Sequence, residues 1–529
     1  MTTIIPEHAS KKSLKKAKQE FDLKEKIQTN LQDIILFVFF TFMLLFVVHN
    51  HRPVEKCFMQ SQAINNMFIK KKLETVKTRG DVWTYINESV IPPLKRTIPY
   101  DMSSKIPEND FLLIGKFRLR QIRVQRDSCN FPDKLKKLFG FDHLGMECTS
   151  SLNSINDDND HYNKSWQIQS TLVSSTDEWS YQNAWDLESV PYLGERAIYG
   201  GGGYLVDMNA GPSAISKISE LMLKSWIDTR TRAFFVEFVL YNPNVNMYSS
   251  VMIVFEYSSP GTLTKSFQIY TTPLSHYSTS KEITSLVFEI IFFLLTIFLS
   301  YIEIKKIRLV SLKTYSKMFW NKLSMFMLIL CYTSMAIFIE RFRMIIQIIR
   351  QYRSHGRDSY INFSLAILWD CILFYILALL TVITMIKLLK LLMLNQKLKY
   401  LFSMMEHINT PLKYFAFIYI ISLFAFACCG HLLFGASLAG YKSFGDSFMV
   451  LIECTFRIVN FNQYLEFHPE LGPVFILLFI FIFVFGLMNM FTVIVMNAQK
   501  SLRQKGVKQD DQLALMIKYL LGSIRRMFR

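Results

Sequence analysis

Glycine, proline and charged residues are all scarce in this sequence of 529 residues, and each scarcity excludes a class of protein. The chain has 20 glycines and 15 prolines, which is too few for a collagen-like or low-complexity chain. Only 19% of the residues are charged, whereas soluble domains contain about 25%. No segment repeats at the period of a solenoid or propeller. The composition excludes a fibrous chain and argues against an ordinary soluble protein.

Motifs for enzymatic chemistry are also missing. The sequence has no nucleophile elbow, Walker loop or zinc-protease helix, and its histidines and cysteines lack metal-site spacing. The glycine run 200–203 lacks the Lys-Ser or Lys-Thr of a phosphate loop, so a tight turn is the preferred interpretation. Asp157, Asp158 and Asp160 lack the glycine and glutamate of a calcium loop, so a solvated loop is preferred. We expect no enzymatic activity, no cofactor and no bound metal.

Hydrophobic residues, in contrast, make up 51% of the chain and include 46 phenylalanines. A helix needs about 20 mostly apolar residues to cross a bilayer. Six segments approach or meet this length, so the sequence predicts a membrane protein with six spans. We name them S1 to S6, and they are residues 31–49, 283–301, 323–339, 365–386, 412–434 and 471–496. S1 follows a lysine-rich leader and is long enough to remain in the membrane, so we expect no cleaved signal peptide.

A further apolar segment, residues 444–459, lies between S5 and S6 and is too short to span a bilayer. Two long helices on either side of a half-length helix can line a water-filled path, so a re-entrant pore helix is the preferred interpretation. A short buried or interfacial helix would give the same sequence pattern.

The positions of lysine and arginine predict the orientation of the spans. Basic residues near span ends favour the cytoplasmic side, and they are concentrated in residues 1–30, the S2–S3 link, the S4–S5 link and residues 497–529. Both termini are therefore expected in the cytoplasm. Five arginines between S3 and S4 contradict this topology, which places them outside: Arg341, Arg343, Arg350, Arg353 and Arg357. The membrane explains the net charge of +17, and we expect no nucleic-acid partner because the aromatic residues lie in spans.

The S1–S2 connection, residues 50–282, is long enough to be a folded domain, and the topology places it outside the cell. Alternating sequence at residues 234–239 and 252–256, with Asn242-Pro243-Asn244 between, predicts a β-hairpin in an α+β fold.

An extracellular domain favours disulfides and glycans. Cys129 and Cys148 form the preferred disulfide pair because they close a short loop, and this leaves Cys57 near the membrane. Asn87 and Asn163 begin glycosylation sequons in the same domain, whereas the sequon of Asn362 lies very close to S4.

Several short motifs follow one another in a distinctive order. In the S1–S2 domain, Arg-Leu-Arg-Gln-Ile-Arg-Val at residues 118–124 leads to Cys129, and Trp226-Ile227-Asp228 leads to Thr231-Arg232-Ala233. The membrane part contributes residues 424–427, 456–458, 471–473 and 487–491. Together they resemble the polycystin branch of the transient receptor potential channels, over nearly the whole chain. Residues 199–207 and 241–243 resemble the polycystin-1 type more than the polycystin-2 type.

The resemblance implies a membrane α-helical fold with six spans, a re-entrant pore helix and an α+β extracellular polycystin domain. It also implies a subunit of a homotetrameric or heterotetrameric cation channel in the plasma or ciliary membrane, non-selective and permeable to calcium. The alternative is a non-conducting, receptor-like or regulatory subunit that assembles with a polycystin-2-type channel.

The pore filter departs from the pattern of the family. The polycystin-2 type continues its Phe-Arg-Ile with Leu-Gly-Asp, whereas the corresponding residues here are Val459, Asn460, Phe461 and Asn462. The filter carboxylate is missing, so Asn460 and Asn462 would line a pore only through amide dipoles, with a weaker preference for Ca²⁺. Glu466 and Glu470 lie farther along the chain, where they would concentrate cations at the outer mouth.

Two further sites follow from the resemblance. The gate positions of the family fall on Thr492 and Met496, and a methionine ring would exclude water better than a threonine ring. Lys387 and Lys390, near the inner end of S4, fall where the family has sensor charges. They either move in the membrane field or extend to the cytoplasmic interface, which is preferred because S4 has no repeated basic series. The tail after S6 has neither a calcium loop nor sustained heptads.

Overall fold

The computed structural model describes residues 11–70, 72–94, 111–129, 147–168, 178–273, 280–355, 359–392, 396–456 and 461–504. These residues include six helices that are long and apolar enough to cross a membrane: Leu31–Ile69, Ile283–Val310, Phe319–Ser354, Ser364–Lys390, His407–Phe434 and Leu471–Gln504. The chain divides into two compact units. One contains Phe37–Met385, and the other combines Met1–Leu36 with Ile386–Arg529.

The domain between S1 and S2 is built on a six-stranded antiparallel sheet with the strand order β10-β9-β8-β2-β7, and β1 also pairs with β8. Its strands are β1 (Leu112–Leu113), β2 (Phe117–Arg123), β7 (Tyr204–Met208), β8 (Thr231–Asn242), β9 (Met247–Tyr257) and β10 (Leu263–Pro273). Two small ribbons accompany it: β3 (Tyr162–Asn163) with β4 (Gln167–Ile168), and β5 (Tyr192–Leu193) with β6 (Ile198–Tyr199). Strands β8 and β9 form the predicted hairpin, in register from Ala233–Glu256 to Asn242–Met247.

Short helices cover one face of this sheet, which makes the domain α+β as predicted. They are Val54–Ile64, Arg79–Tyr85, Ile91–Leu94 and Pro212–Leu223, with π-helical turns at Asn65–Ile69 and Ile86–Val90 and a 3-10 turn at Lys164–Trp166. Helix Pro212–Leu223 begins with a proline, whose fixed φ suits the first helical position. It buries Ala214, Ile218 and Leu221, one face of a helix by their spacing, in the same core as Trp226 and Phe234.

The first four spans belong to longer helices than the sequence predicts. S1 is the end of helix Lys11–His51, S2 lies in Ser280–Val310, S3 in Phe319–His355 and S4 in Ser364–Leu392, and a short helix, Leu312–Tyr315, precedes S3. S1 packs on S2 through the stacked rings of Phe40 and Phe292, whose centroids are 5.2 Å apart.

The arginines assigned to an S3–S4 loop mostly lie on a helix, which corrects that prediction. S3 continues without interruption to His355, so Arg341, Arg343, Arg350 and Arg353 belong to its last four turns. Arg357 lies outside the described residues. Arg341 is buried beside an acid of S4, as described below, while the other three arginines are exposed.

The second unit contains S5 in helix Gln396–Phe434, a 3-10 turn at Ala439–Tyr441, and the short helices Phe444–Thr455 and Phe461–Phe467. S6 lies in a continuous helical stretch from Leu471 to Gln504, with a π-helical segment at Phe481–Leu487 between two α-helical parts.

Candidate pore and the ion-pair clamp

The half-length helix between S5 and S6 begins at a defined cap. The hydroxyl of Ser443 accepts a hydrogen bond from the backbone N–H of Asp446 at 3.1 Å and donates one to the carboxylate of Asp446 at 2.8 Å. An N-cap of this kind satisfies a backbone donor that the first turn leaves unpaired. The helix buries Ser447, Leu451 and Cys454, spaced four and three residues apart. The sequence therefore encodes both the start of the helix and the face that it buries.

Aromatic side chains join S5 to S6 in the buried cluster that also contains residues of this helix. The ring of Phe426 on S5 lies 5.7 Å from Phe475, 5.4 Å from Phe479 and 5.8 Å from Phe483, all three on S6. Leu451 of the short helix belongs to the same buried cluster. Aromatic pairs at these separations stabilise a packed core beyond the area that they bury.

A buried hydroxyl pair connects the segments on either side of the half-length helix. The hydroxyls of Tyr441 and Tyr464 are 2.8 Å apart. A β-carbon at Gly430 of S5 would lie 2.6 Å from the ring of Tyr441, and one at Gly472 of S6 would lie 2.6 Å from the carbonyl oxygen of Tyr464. Glycine is required at both positions because the backbone approaches so closely.

The predicted filter is only partly within the described residues. The half-length helix ends at Thr455 rather than at residue 459, and Val459 and Asn460 lie outside the described residues. Phe461 and Asn462 form the exposed first turn of helix Phe461–Phe467. The structure also places the acids predicted for the outer mouth, Glu466 and Glu470, at exposed positions between this turn and S6.

The predicted gate residues share one exposed face at the end of S6. Thr492 and Met496 are four residues apart in helix Met488–Gln504, and both are exposed. The hydroxyl of Thr492 donates a hydrogen bond to the carbonyl oxygen of Met488 at 2.9 Å. Lys387 is half-buried and Lys390 exposed, both near the end of helix Ser364–Leu392.

A buried ion pair, which we call the clamp, joins S3 to S4. The Nε atom of Arg341 lies 2.6 Å from Oδ1 of Asp370, and both residues are buried. The Nη2 atom of Arg341 also lies 3.3 Å from the hydroxyl of Thr272 and 3.4 Å from the carbonyl oxygen of Pro273, at the end of β10. The clamp therefore connects two spans to the sheet. Sequence reasoning missed it, although an acid and a base within spans are an accepted signal for such a pair.

The start of S4 and the segment before it lie against the S1–S2 domain. The ring of Phe363 is 4.7 Å from Tyr248 of β9, and the guanidinium of Arg118 lies 3.9 Å above the ring of Tyr360. The side-chain nitrogen of Asn362 donates hydrogen bonds to the carbonyl oxygens of Leu187 at 2.6 Å and Glu188 at 3.1 Å. These contacts hold the segment before S4 in place.

The arginine-rich motif of β2 is buried and fully paired with acids. Arg118 bonds Asp207 through two hydrogen bonds of 2.7 and 2.8 Å, and Arg120 approaches Glu237 to 2.7 Å. The Nη1 atom of Arg120 also donates to the carbonyl oxygens of Gly200 and Gly202 at 3.0 and 3.1 Å. Arginine suits this role because its planar group bonds a carboxylate with two hydrogen bonds.

The glycine run beside Arg120 is not the tight turn that the sequence suggested. A β-carbon at Gly201 would lie 2.4 Å from the carbonyl oxygen of Ser189, and one at Gly202 would lie 2.5 Å from the hydroxyl of Tyr181. Only Gly203 of the run has a positive φ, at 147°. The run is needed mainly because the backbone is closely packed there.

The solvated loop proposed for Asp157, Asp158 and Asp160 is wrong for Asp158, which is buried. Its carboxylate lies 3.7 Å from Nε of Arg123 and accepts hydrogen bonds from the hydroxyls of Tyr162 and Tyr204. Burial raises the pKa of Tyr162 to about 12, so this hydroxyl stays protonated and can donate. Among the described residues, no group of three or more His, Cys, Asp or Glu side chains could hold a metal ion.

The structure contains the disulfide expected from the sequence. Cys129 and Cys148 are bonded, and Cys57 is a buried free thiol. Of the sequon asparagines, Asn163 is exposed and Asn87 is half-buried within a π-helical turn. The nitrogen of Asn362 that would carry a glycan is occupied by its two hydrogen bonds.

Two family models together match most of the chain, and curated relatives align with more than nine-tenths of it. The sequence profile of the Polycystin domain matches residues 72–275, and that of the Polycystin cation channel matches residues 276–502. Polycystin-2-like protein 2 of Homo sapiens is 24% identical over 97% of this chain and 82% of its own length. Polycystin-1-like protein 3 of Mus musculus is 24% identical over 92% of this chain and 22% of its own length. Polycystin-2 of Danio rerio is 23% identical over 92% of this chain and 54% of its own length.

Proposed function

Because this chain belongs to the polycystin family, we propose that it is a pore-forming subunit of a tetrameric cation channel in the plasma or ciliary membrane. The observation that carries this proposal is the helix Phe444–Thr455, which is capped at Ser443 and shares one buried cluster with S5 and S6. One subunit supplies a quarter of such a pore, so a closed ring of four subunits is needed to line it.

The proposed arrangement places the S1–S2 domain outside the cell and both termini in the cytoplasm. The basic residues at 1–30 and 497–529 support it through the positive-inside rule. The disulfide between Cys129 and Cys148 supports it as well, because disulfides persist in oxidising compartments. In this arrangement the helix Phe444–Thr455 enters and leaves the membrane on the outer side.

Permeation should show little preference for Ca²⁺ over monovalent cations. The proposed filter, residues 459–462, has asparagines but no carboxylate. Amide dipoles attract a divalent cation less strongly than a ring of charges does. Glu466 and Glu470 are exposed beyond the filter, where they would raise the local cation concentration by an effect that salt screens. Thr492 and Met496 would form the gate at the inner end of S6.

The proposed route for an extracellular signal runs from the sheet into S3 and S4. The clamp between Arg341 and Asp370, the contact of Tyr248 with Phe363 and the stacking of Arg118 on Tyr360 support this route. A displacement of β9 or β10 would move the start of S4 because these contacts are buried and closely packed.

The missing filter carboxylate also favours a second candidate function. In that case the chain is a non-conducting regulatory subunit that assembles with a polycystin-2-type channel. Whole-cell currents recorded with this chain alone, with a polycystin-2-type partner alone and with both chains distinguish the two functions. A current from this chain alone supports the pore-forming subunit. A current that requires the partner and is unchanged by substitutions at Asn460 and Asn462 supports the regulatory subunit.

A further inference from the structure

A cavity of about 350 Å³ lies within the S1–S4 helices, at the end nearest the S1–S2 domain. All four helices contribute to its wall: S1 through Val47 and His51, S2 through residues between Leu286 and Phe293, S3 through residues between Ser334 and Ile339, and S4 through Leu373 and Leu377. Its volume is in the range of small-molecule sites, about 300–1,000 Å³. None of the residues proposed for the filter or the gate contributes to it.

The cavity is open on the side that faces the bilayer. Three of its wall residues are well exposed, Ile290 and Phe293 on S2 and Ile339 on S3. Leu377 of S4 and Phe292 of S2, in contrast, are buried. The entrance therefore lies between S2 and S3, and a molecule would enter from the membrane.

The wall is almost entirely apolar, which limits what can fill the cavity. Its polar side chains are His51, Glu289 and Ser334, and the Ser334 hydroxyl already donates to the carbonyl oxygen of Cys331 at 2.8 Å. An opening whose wall is mostly apolar is poorly suited to water. Hydrocarbon is the material that the surrounding bilayer supplies.

The height of the cavity matches part of one lipid chain. Leu286 and Phe293 are seven residues apart, which corresponds to about 10 Å along a helix, or about a third of the hydrocarbon thickness. His51 is the last residue of the S1 helix, and Glu289 lies on S2.

We infer that the cavity binds one acyl chain of a phospholipid from the leaflet next to the S1–S2 domain. This lipid site lies next to the clamp, because His51 packs against Phe338 at 5.9 Å and Arg341 follows Phe338 by one turn of S3. The inference rests on the proposed membrane placement, but it does not depend on conduction.

Photocrosslinking tests the lipid site directly. The full chain is reconstituted in phosphatidylcholine that includes a fraction with a diazirine on the acyl chain, irradiated, digested and analysed by mass spectrometry. Parallel samples contain a diazirine-bearing sterol or a diazirine-bearing fatty acid. We expect the phosphatidylcholine probe to label S2 and S3 at the cavity, around Phe293 and Met335.

Two variants at matched positions provide the control. Ile290→Trp places a bulky ring at the entrance, whereas Ile297→Trp changes a similarly exposed residue two turns farther along S2 that is not part of the wall. Overpacking at the entrance should reduce labelling at the cavity about tenfold, and Ile297→Trp should leave it unchanged. Ser334→Phe, which fills the cavity from S3, should act like Ile290→Trp. Size-exclusion profiles confirm that each variant is folded.

The site would be refuted by equal labelling in all three variants. It would also be refuted if the sterol or the fatty acid labelled the cavity while phosphatidylcholine did not. A third refuting outcome is labelling by the phosphatidylcholine probe in proportion to the exposure of each residue along the spans, with no enrichment at the cavity. Since the readout does not use current, a silent channel with a labelled cavity would contradict conduction alone.

Discussion

At the scale of single residues, the most informative feature is that four buried arginines are paired with acids. Arg118, Arg120, Arg123 and Arg341 are all buried, and each lies within 4 Å of a carboxylate oxygen. A buried charge without a partner is very costly, so replacing either member of such a pair should destabilise the fold. The arginine motif of β2 therefore has a structural role in holding the domain together.

The clamp gives the clearest prediction at this scale. Asp370→Asn should destabilise the protein by about 3–5 kcal/mol because it leaves the charge of Arg341 buried and unpaired. Glu340→Gln is the matched control, since Glu340 pairs with Arg343 on the surface of S3, the helix that carries Arg341. Loss of an exposed pair costs about 0–1 kcal/mol. Thermal unfolding in detergent compares them. Equal midpoints for the two variants would show that the clamp does not stabilise the fold.

Asp157 provides a pH-dependent prediction. Burial, and next the nearby charge of Asp158, raise the pKa of Asp157 to about 6. Because the folded-state pKa lies above the unfolded value, this carboxyl destabilises the folded domain as pH rises through about 4 to 6. Asp157→Asn should therefore raise the unfolding midpoint at pH 7.5, by on the order of 1 kcal/mol in stability, and have no effect near pH 4. A lower midpoint at pH 7.5 would contradict this assignment.

At the scale of helices and strands, short sequence patterns predicted those elements whose formation depends on residues close together in the chain. The β8–β9 hairpin, the six spans and the start of the helix at Phe444 were visible in the sequence, because alternation and apolar length are local patterns. The cap at Ser443 was not predicted. The length of S3 and the burial of Asp158 were not visible. The burial of a charged side chain depends on a partner more than 25 residues away in sequence, which is Asp370 for Arg341 and Arg123 for Asp158.

The cap of the half-length helix can be tested by exchange. Ser443→Ala removes the hydroxyl that accepts from the N–H of Asp446 and should cost about 1 kcal/mol. Ser443→Asp supplies another capping oxygen and should retain most of the stability. Heating followed by size-exclusion chromatography measures the fraction of each variant that remains folded and assembled as the temperature rises. If Ser443→Asp were as unstable as Ser443→Ala, the cap would not explain the preference for serine.

At the scale of the whole molecule, the proposed topology would account for the charge, the disulfide and the sequons together. If the S1–S2 domain is extracellular, the exposed Asn163 should carry a glycan. Asn163→Gln should then increase gel mobility by the amount expected for the loss of one glycan. Asn362→Gln should leave mobility unchanged, because its side-chain nitrogen is bonded to Leu187 and Glu188. Glycosidase treatment that left the mobility of the unmodified chain unaltered would overturn the topology.

The central claim is that this chain lines a cation pathway with residues 459–462. Reversal potentials under bi-ionic conditions, with Ca²⁺ outside and a monovalent cation inside, test it most directly, with this chain alone and with a polycystin-2-type partner. Asn460→Asp should shift the reversal potential to more positive values because a carboxylate ring favours Ca²⁺. Glu466→Gln, the control at the outer mouth, should lower conductance at low ionic strength with a smaller shift. If Asn460→Asp produced no shift in either setting, Asn460 would not line the filter, and the regulatory subunit would be the better description.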